Sequence, residues 1–291
     1  MTGYVNNINR ATGLLVIEVI NSNPNGDPDR DSDPRQRVDG IGEISPVSFK
    51  RKIRDMVEDK MGPVWINVKQ RLGLGDDNFH ILESKGRERE KIKKEMKYED
   101  TFMNSLFVKK YWDARIFGNT FLESELNKGS IKTGVVQFGM GVSIAPVVVE
   151  RQTNTNKAGV QEGKNQGMAP MGYRIVTHGV YCMPFFVNPS NAHKSGCTST
   201  DVELLKTLIP YAYDHNRSAI RPFVVIRHAW FCEHNNPLGS CSDFDIVESL
   251  TPIRKCEPQE PSMSWQDYEI PIGLPDKFKG KVSCVDLMDQ I

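Results

Sequence analysis

A strand running directly into a long, turn-rich loop and then into a capped basic helix constrains this chain more than any other feature. Residues 14–20 (LLVIEVI) form an apolar, β-branched run of strand length. They are followed over 21–55 by NSNPNGDPDRDSDPRQRVDGIGEISPVSFKRKIRD. A loop of more than twenty residues inside a compact domain is either functional or disordered. Here Asn, Asp, Gly and Pro recur at turn-forming intervals, which favours a shaped loop. Ser45 stands at the N-cap position and Pro46 at the favoured first helical position. The first turns of the helix then carry Lys50, Arg51, Lys52 and Arg54, while Arg35 and Arg37 lie on the far arm of the loop. Strand, shaped loop, helix N-terminus and cations together make a place for a phosphate backbone.

The remaining pattern predicts an α+β protein. Further strands are expected at 112–117, 133–149, 173–187 and 222–233, and helices at 46–60 and 200–215. In the first helix Phe49, Ile53, Met56, Val57 and Lys60 fall within about 100° of one another on a wheel of 100° per residue. Lys50, Arg51 and Arg54 occupy the adjoining arc, so one side can be buried while another offers cations. Two segments interrupt this order. Residues 62–110 include KGREREKIKKEMK, with 7 basic residues against 3 acidic, which suits a solvated helix or a nucleic-acid contact equally. Residues 152–172, polar and Gly-rich, exceed what a hairpin turn needs and read as a projecting arm. Strand, helix, insertion, strands with an arm, helix, strand is the order of a ferredoxin- or RRM-type sandwich.

Net charge is zero over 291 residues, but its distribution is uneven. Residues 231–291 hold 5 Lys+Arg against 11 Asp+Glu, so the first 230 carry +6. Such asymmetry suits a basic working face with an acidic surface elsewhere, either solvated or meeting another copy. No apolar run approaches the roughly 20 residues of a membrane helix, and no signal-peptide core opens the chain. A cytoplasmic protein without membrane contact is expected, with its six spread-out cysteines reduced.

Motifs for chemistry are mostly refused. Asn21, Asn23 and Asn25 before Gly26 imitate an EF-hand, but Asn21 and Ser32 stand where Asp and a bidentate Glu are needed. His228, Cys232 and His234 would share a strand face, yet His228 and Cys232 would sit about 13 Å apart, too far for one Zn²⁺. Gly73-x-Gly75 and Gly139-x-Gly141 lack the third glycine of a dinucleotide loop. Asp27, Asp29, Asp31 and Asp33 alternate and could hold a divalent ion. Asp-Pro at 27–28 and 33–34 favours turn capping instead. No catalytic residue, metal ligand or cofactor is assigned.

Six segments in order carry a resemblance: NPNGDPD (23–29), GIGEIS running into PVSFKRKIRD (40–55), DARIFG (113–118), VQFGMGVSIAPV (136–147), YRIVTHGVY (173–181) and DHNRSAIRP (214–222). Together they resemble the Cas-seven family of the RAMP superfamily, the repeated backbone subunit of CRISPR Cascade complexes, and most closely its type I-C branch. The resemblance implies a modified RRM/ferredoxin-like palm core (1–61, 111–151 and 173–291), a finger-like insertion (62–110) and a thumb β-hairpin arm (152–172). It implies a non-catalytic subunit that polymerises along CRISPR RNA as a helical filament and supports recognition of target DNA. The implied partners are further copies of the chain and Cascade subunits of the Cas-five and Cas-eight types. The expected RNA contacts are Asn23, Asn25, Arg35, Arg37, Ser45, Ser48, Lys50, Arg51 and Arg54, with Lys157, Lys164, Met168 and Met171 on the thumb. Either methionine would act as a wedge at an RNA kink or as plain packing.

A scaffold that accepts any guide must bind phosphate and sugar and leave base edges free. Its attraction is therefore salt-dependent through counterion release. On this reading Lys50→Ala with Arg54→Ala weakens RNA binding at near-constant fold stability. The alternative is a RAMP-type ribonuclease using an aspartate between Asp27 and Asp33. A metabolic enzyme on the same scaffold is the other rival, because fold does not fix function.

Overall fold

A computed structural model describes residues 8–84, 86, 88–98, 100–119, 133–157, 168–257 and 259–291. The strands of its main sheet are β1 (Ala11–Ser22), β4 (Ile41–Ile44), β5 (Val136–Phe138), β6 (Gly141–Pro146), β7 (Val149–Lys157), β8 (Met168–Val187), β9 (Phe223–His234) and β12 (Val282–Asp286). Two-residue ladders join β2 (Gly26–Asp27) to β3 (Asp33–Pro34), and β10 (Ile253–Arg254) to β11 (Tyr268–Glu269). The helices are α1 (Pro46–Glu58), α2 (Pro63–Leu72), α3 (Arg89–Glu95), α4 (Leu106–Lys110), α5 (Trp112–Phe117), α6 (Ala192–Ser195), α7 (Ser199–Leu208) and α8 (Asp243–Leu250).

The sheet is antiparallel in the order β12-β9-β1-β8-β6-β4, with β5 and β7 also paired to β8. β1 is central, so its neighbours cover both edges and its residues alternate between two cores. Leu15, Ile17 and Val19 join the larger cluster with α1, α2 and α7; Leu14 and Val16 join a second cluster with Trp230, Ile246, Leu250 and Phe278. That double burial explains why LLVIEVI shows no apolar–polar alternation. Gly13 is required where β1 crosses β8, because a Cβ there would lie 2.1 Å from the Phe185 ring. The twenty-residue β8 outruns the sheet, and its first half pairs with β7 from Val149↔Val176 to Lys157↔Met168. α2 packs Val64, Trp65 and Val68 into the larger cluster, whereas Leu82, Ile92, Met96, Phe107, Val108, Tyr111 and Ala114 form a separate one.

Four expectations are corrected. Residues 112–117 are helix, not strand: all six are buried, and a short run hidden on every side has no polar face to reveal its period. The strand expected over 133–149 is broken into β5, β6 and the start of β7. The cysteines are not all reduced: Cys232 and Cys284 lie opposite each other on β9 and β12 and are disulfide-bonded. Their separation of 52 residues hides the pair from any spacing argument. The helix expected over 200–215 ends as α7 at Leu208 and continues as single turns at Ile209–Tyr211 and Asp214–Asn216, as Pro210 dictates. Among the described residues no helix is long and apolar enough to cross a membrane.

Candidate nucleic-acid interface

Two buried asparagines organise the loop between β1 and α1. Asn25 accepts at Oδ1 from the Ser45 N–H at 2.9 Å and from the Ser45 hydroxyl at 2.8 Å. Ser45 Oγ in turn accepts from the Ser48 N–H at 3.2 Å, completing the predicted N-cap. Asn23 donates from Nδ2 to the Ser32 carbonyl at 2.8 Å. Both asparagines are at most 5% exposed, so their side chains shape the loop from within rather than meet a strand lying over it. Asn21, Asp31 and Ser32 take positive φ at the bends, where short polar side chains are best tolerated.

The aspartates serve the same loop. Asp27 Oδ1 accepts from the Asp29 N–H at 3.2 Å, and Asp33 pairs with Arg174 at 2.7 Å. Asp27 and Asp33 also face each other across the β2–β3 ladder. The Asp27 contact is that of a turn cap, whereas Asp33 ties the loop to β8 through an ion pair.

The basic run of α1 divides by partner. Arg54 is 4% exposed and donates from Nε to Asp113 at 2.9 Å, with Glu83 at 3.3 Å. Asp113 is 1% exposed and also accepts from the N–H groups of Leu82 and Glu83, at 2.6 and 3.2 Å. Arg54 therefore anchors the 81–84 segment and α5 to α1, which corrects its expected role as a dispensable phosphate ligand. Arg51 is paired with Asp55 at 2.6 Å and Glu58 at 2.5 Å, and Arg37 with Glu43 at 2.6 Å. Lys50 is different. It is half-buried with Nζ 5.1 Å from the Phe117 ring centroid, and no ion pair holds it among the described residues. Burial, then the adjacent Arg54, push its amine below the ordinary lysine range, against the pull of Glu83. Arg35 is likewise half-buried and without an ion pair among the described residues, its Nε enclosed with no hydrogen-bond partner.

Where β7 and β8 pair, Lys157 stands opposite Met168 and Met171 opposite Asn154. Lys164 lies outside the described residues.

Sequence reading counted Lys52 among the cations of the helix but assigned neither it nor Arg221 a contact. Lys52 is 7% exposed, with Nζ 5.4 Å from the Tyr213 ring centroid. Burial, reinforced by Arg221 and opposed by Asp55, pushes its pKa down to about 8. Arg221 donates from Nε to the Asn23 carbonyl at 2.9 Å. Helical periodicity held the signal for Lys52, which falls about 60° from Phe49 on the wheel, at the margin of the buried arc. Arg221 gave no local signal; only the meeting of β9 with the β1 loop brings it there.

The opposite sheet face carries another unanticipated arrangement. His178 bridges Glu18 at 3.2 Å and Ser262 at 2.8 Å beside a cleft of about 540 Å³ lined by Arg227 and Trp265. Ser262 is only 2% exposed, so this is a buried polar network rather than a presented nucleophile.

A family model described as CRISPR-associated protein Cas7 matches residues 9–273. This chain belongs to that family. A Cas7 relative from Haloferax volcanii, described as CRISPR-associated protein Cas7, is 26% identical over 230 residues, covering 69% of this chain and 63% of that protein. The Cas7 chain thus spans less than two thirds of that relative's length. It is also similar to a chain of a "CRISPR RNA-guided surveillance complex, pre-nicking" (15% identity, TM-score 0.48, 77% of this chain and 78% of that one). A chain of a "CRISPR RNA-guided surveillance complex" follows at 15% identity and TM-score 0.40, covering 84% of this chain and 77% of that one.

Proposed function

We propose that this Cas7-family chain is a non-catalytic backbone subunit that binds CRISPR RNA and polymerises along it in a Cascade surveillance complex of type I-C. Membership of the family over residues 9–273 is the observation that carries the reading. Its partners are then the guide RNA, further copies of itself, Cascade subunits of the Cas-five and Cas-eight types and, in the assembled complex, target DNA. The order β1-α1-β6-β8-α7-β9, with strands adjacent as β9-β1-β8-β6, supports an RRM-type core. The face on which an RRM stacks bases is covered here by α8, Tyr268 and Phe278. Gripping phosphate at the loop end of the sheet, without reading bases, suits that closure.

In this reading Lys50 and Arg35 are the phosphate ligands of the β1–α1 loop, Ser45 and Ser48 fix the helix start, and Asn23 and Asn25 hold the loop's shape. Arg37 and Arg51 contribute only by exchanging an acidic partner for a phosphate. Residues 62–110 act as finger and 152–172 as thumb, with Lys157, Lys164, Met168 and Met171 reaching the guide of a neighbouring copy. The capping and pairing of Asp27 and Asp33 favour this role over RNA cleavage.

The test is RNA binding across a salt series. Arg35→Ala with Lys50→Ala should lower affinity by on the order of tenfold or more and reduce the salt slope by about 2. Thermal stability should stay unchanged, since neither side chain holds an ion pair. A chain that ignores single-stranded RNA at low ionic strength, even beside its companion subunits, is not a guide-binding backbone.

A further inference from the structure

We propose that Lys52, Arg221 and Tyr213 form a second, largely enclosed site for a phosphate-type oxyanion, on the side of α1 away from Lys50. That the anion is a phosphodiester of bound RNA rests on the RNA-binding reading above; the site itself is argued from the contacts of its side chains, independently of that reading.

Lys50 and Lys52 are two positions apart, about 200° around the helix, and face different neighbours. Lys50 meets Phe117 of α5, whereas Lys52 meets the ring of Tyr213. A lysine at 7% exposure ordinarily has a carboxylate or carbonyl to receive its protons. Among the described residues Lys52 has neither. The acid in reach on its own helix, Asp55, is held by Arg51 at 2.6 Å. Its other charged neighbour is a second cation, Arg221, whose Nε is fixed on the Asn23 carbonyl while no ion pair takes its Nη groups among the described residues. The Tyr213 hydroxyl is enclosed in the same packing with no hydrogen-bond partner.

The cluster therefore presents ammonium, guanidinium and phenol donors without an acceptor. Each would gain a charge-assisted bond from one tetrahedral oxyanion. Unfilled, the site is a cost to the fold, because two like charges are held together out of water. Persistence of that cost is understandable if a ligand repays it. Arg221 hangs from the Asn23 carbonyl and the Asn216 amide reaches the Lys52 carbonyl at 3.5 Å, so the site is tied directly to the β1–α1 loop.

The deciding experiment compares Lys52→Met with the wild-type chain, using inorganic phosphate and a single-stranded oligoribonucleotide as separate probes. A structural lysine and a ligand-binding lysine differ in sign. Removal of an unpaired buried charge should raise the melting temperature of the free protein while weakening RNA binding about tenfold and lowering the salt slope by about 1. Phosphate should raise the melting temperature of the wild type and not of Lys52→Met. Tyr213→Phe, which deletes one hydroxyl, should reduce the phosphate effect and leave the free protein folded. If Lys52→Met melts lower than wild type, or keeps its full phosphate effect, the site does not exist. If wild type binds RNA and Lys52→Met binds it equally while Arg35→Ala with Lys50→Ala does not, this proposal falls and the RNA-binding reading stands. If phosphate acts through Lys52 but the oligoribonucleotide does not bind, the anion site stands and that reading falls.

Discussion

Replacing Arg54 by methionine separates a cation that builds the fold from one that greets a ligand. The substitution keeps an unbranched side chain of helical preference, so it removes charge and hydrogen bonds with little change of shape. Arg54 and Asp113 are 4% and 1% exposed and their ion pair spans 2.9 Å. Deleting one partner of a buried pair leaves the other charge uncompensated, at about 3–5 kcal/mol. Asp113 keeps two backbone donors, Leu82 at 2.6 Å and Glu83 at 3.2 Å, which places the loss near the lower end, about 3 kcal/mol. The assay is denaturant unfolding followed by circular dichroism, where the midpoint should fall at unchanged m. Burial already holds the Asp113 carboxyl above the usual range, with Arg54 as its chief opponent. Without that cation the carboxyl rises further. A raised folded-state carboxyl gives stability that is present below the unfolded pKa and lost as pH rises through the folded one. The deficit of Arg54→Met should therefore shrink as the medium is acidified, and Arg54→Met with Asp113→Asn should recover part of it at neutral pH. A loss below about 1 kcal/mol with RNA binding abolished would show that Arg54 is a surface ligand and refute the burial argument.

Three further outcomes follow from the same contacts. Ser45→Ala removes both the cap of α1 and the hydroxyl donor to Asn25, and should cost about 1–2 kcal/mol in unfolding free energy, more than the same change at exposed Ser283. Reduction of Cys232–Cys284, which closes a loop of 52 residues, should lower stability by about 4 kcal/mol on the chain-entropy estimate; equal denaturation midpoints with and without reductant would contradict it. Lys52 titrates near pH 8 when folded and near 10.5 when unfolded, so the unfolded chain holds its proton longer. Stability from this group rises as pH climbs through that window, and the advantage of Lys52→Met over wild type should fade between pH 7 and pH 10. An advantage that is constant across pH would mean that charge is not its source.

Local chemistry made much of this protein legible. Ser45-Pro46 announces the start of α1, and the Asn-Asp-Gly-Pro spacing announces a shaped loop, because caps and turns are decided by residues within a few positions of one another. Asp27 reads as a turn residue for the same reason, whereas the partner of Asp33, Arg174, was out of local reach. Residues 112–117 were illegible: the DARIFG helix is buried on every side, so nothing in its order distinguishes it from a strand.

What the sequence determined by itself was therefore the inventory: an apolar strand, a capped basic helix, a surplus of positive charge ahead of an acidic tail. Which of the positive side chains remain available was decided only in three dimensions. Arg54 is committed to Asp113, 59 positions away, and Lys52 is confronted by Arg221, 169 positions away. The free energy of a charge depends on what surrounds it after packing, and distant segments supply those surroundings. A run of cations is visible in a line of letters; its counterions are not.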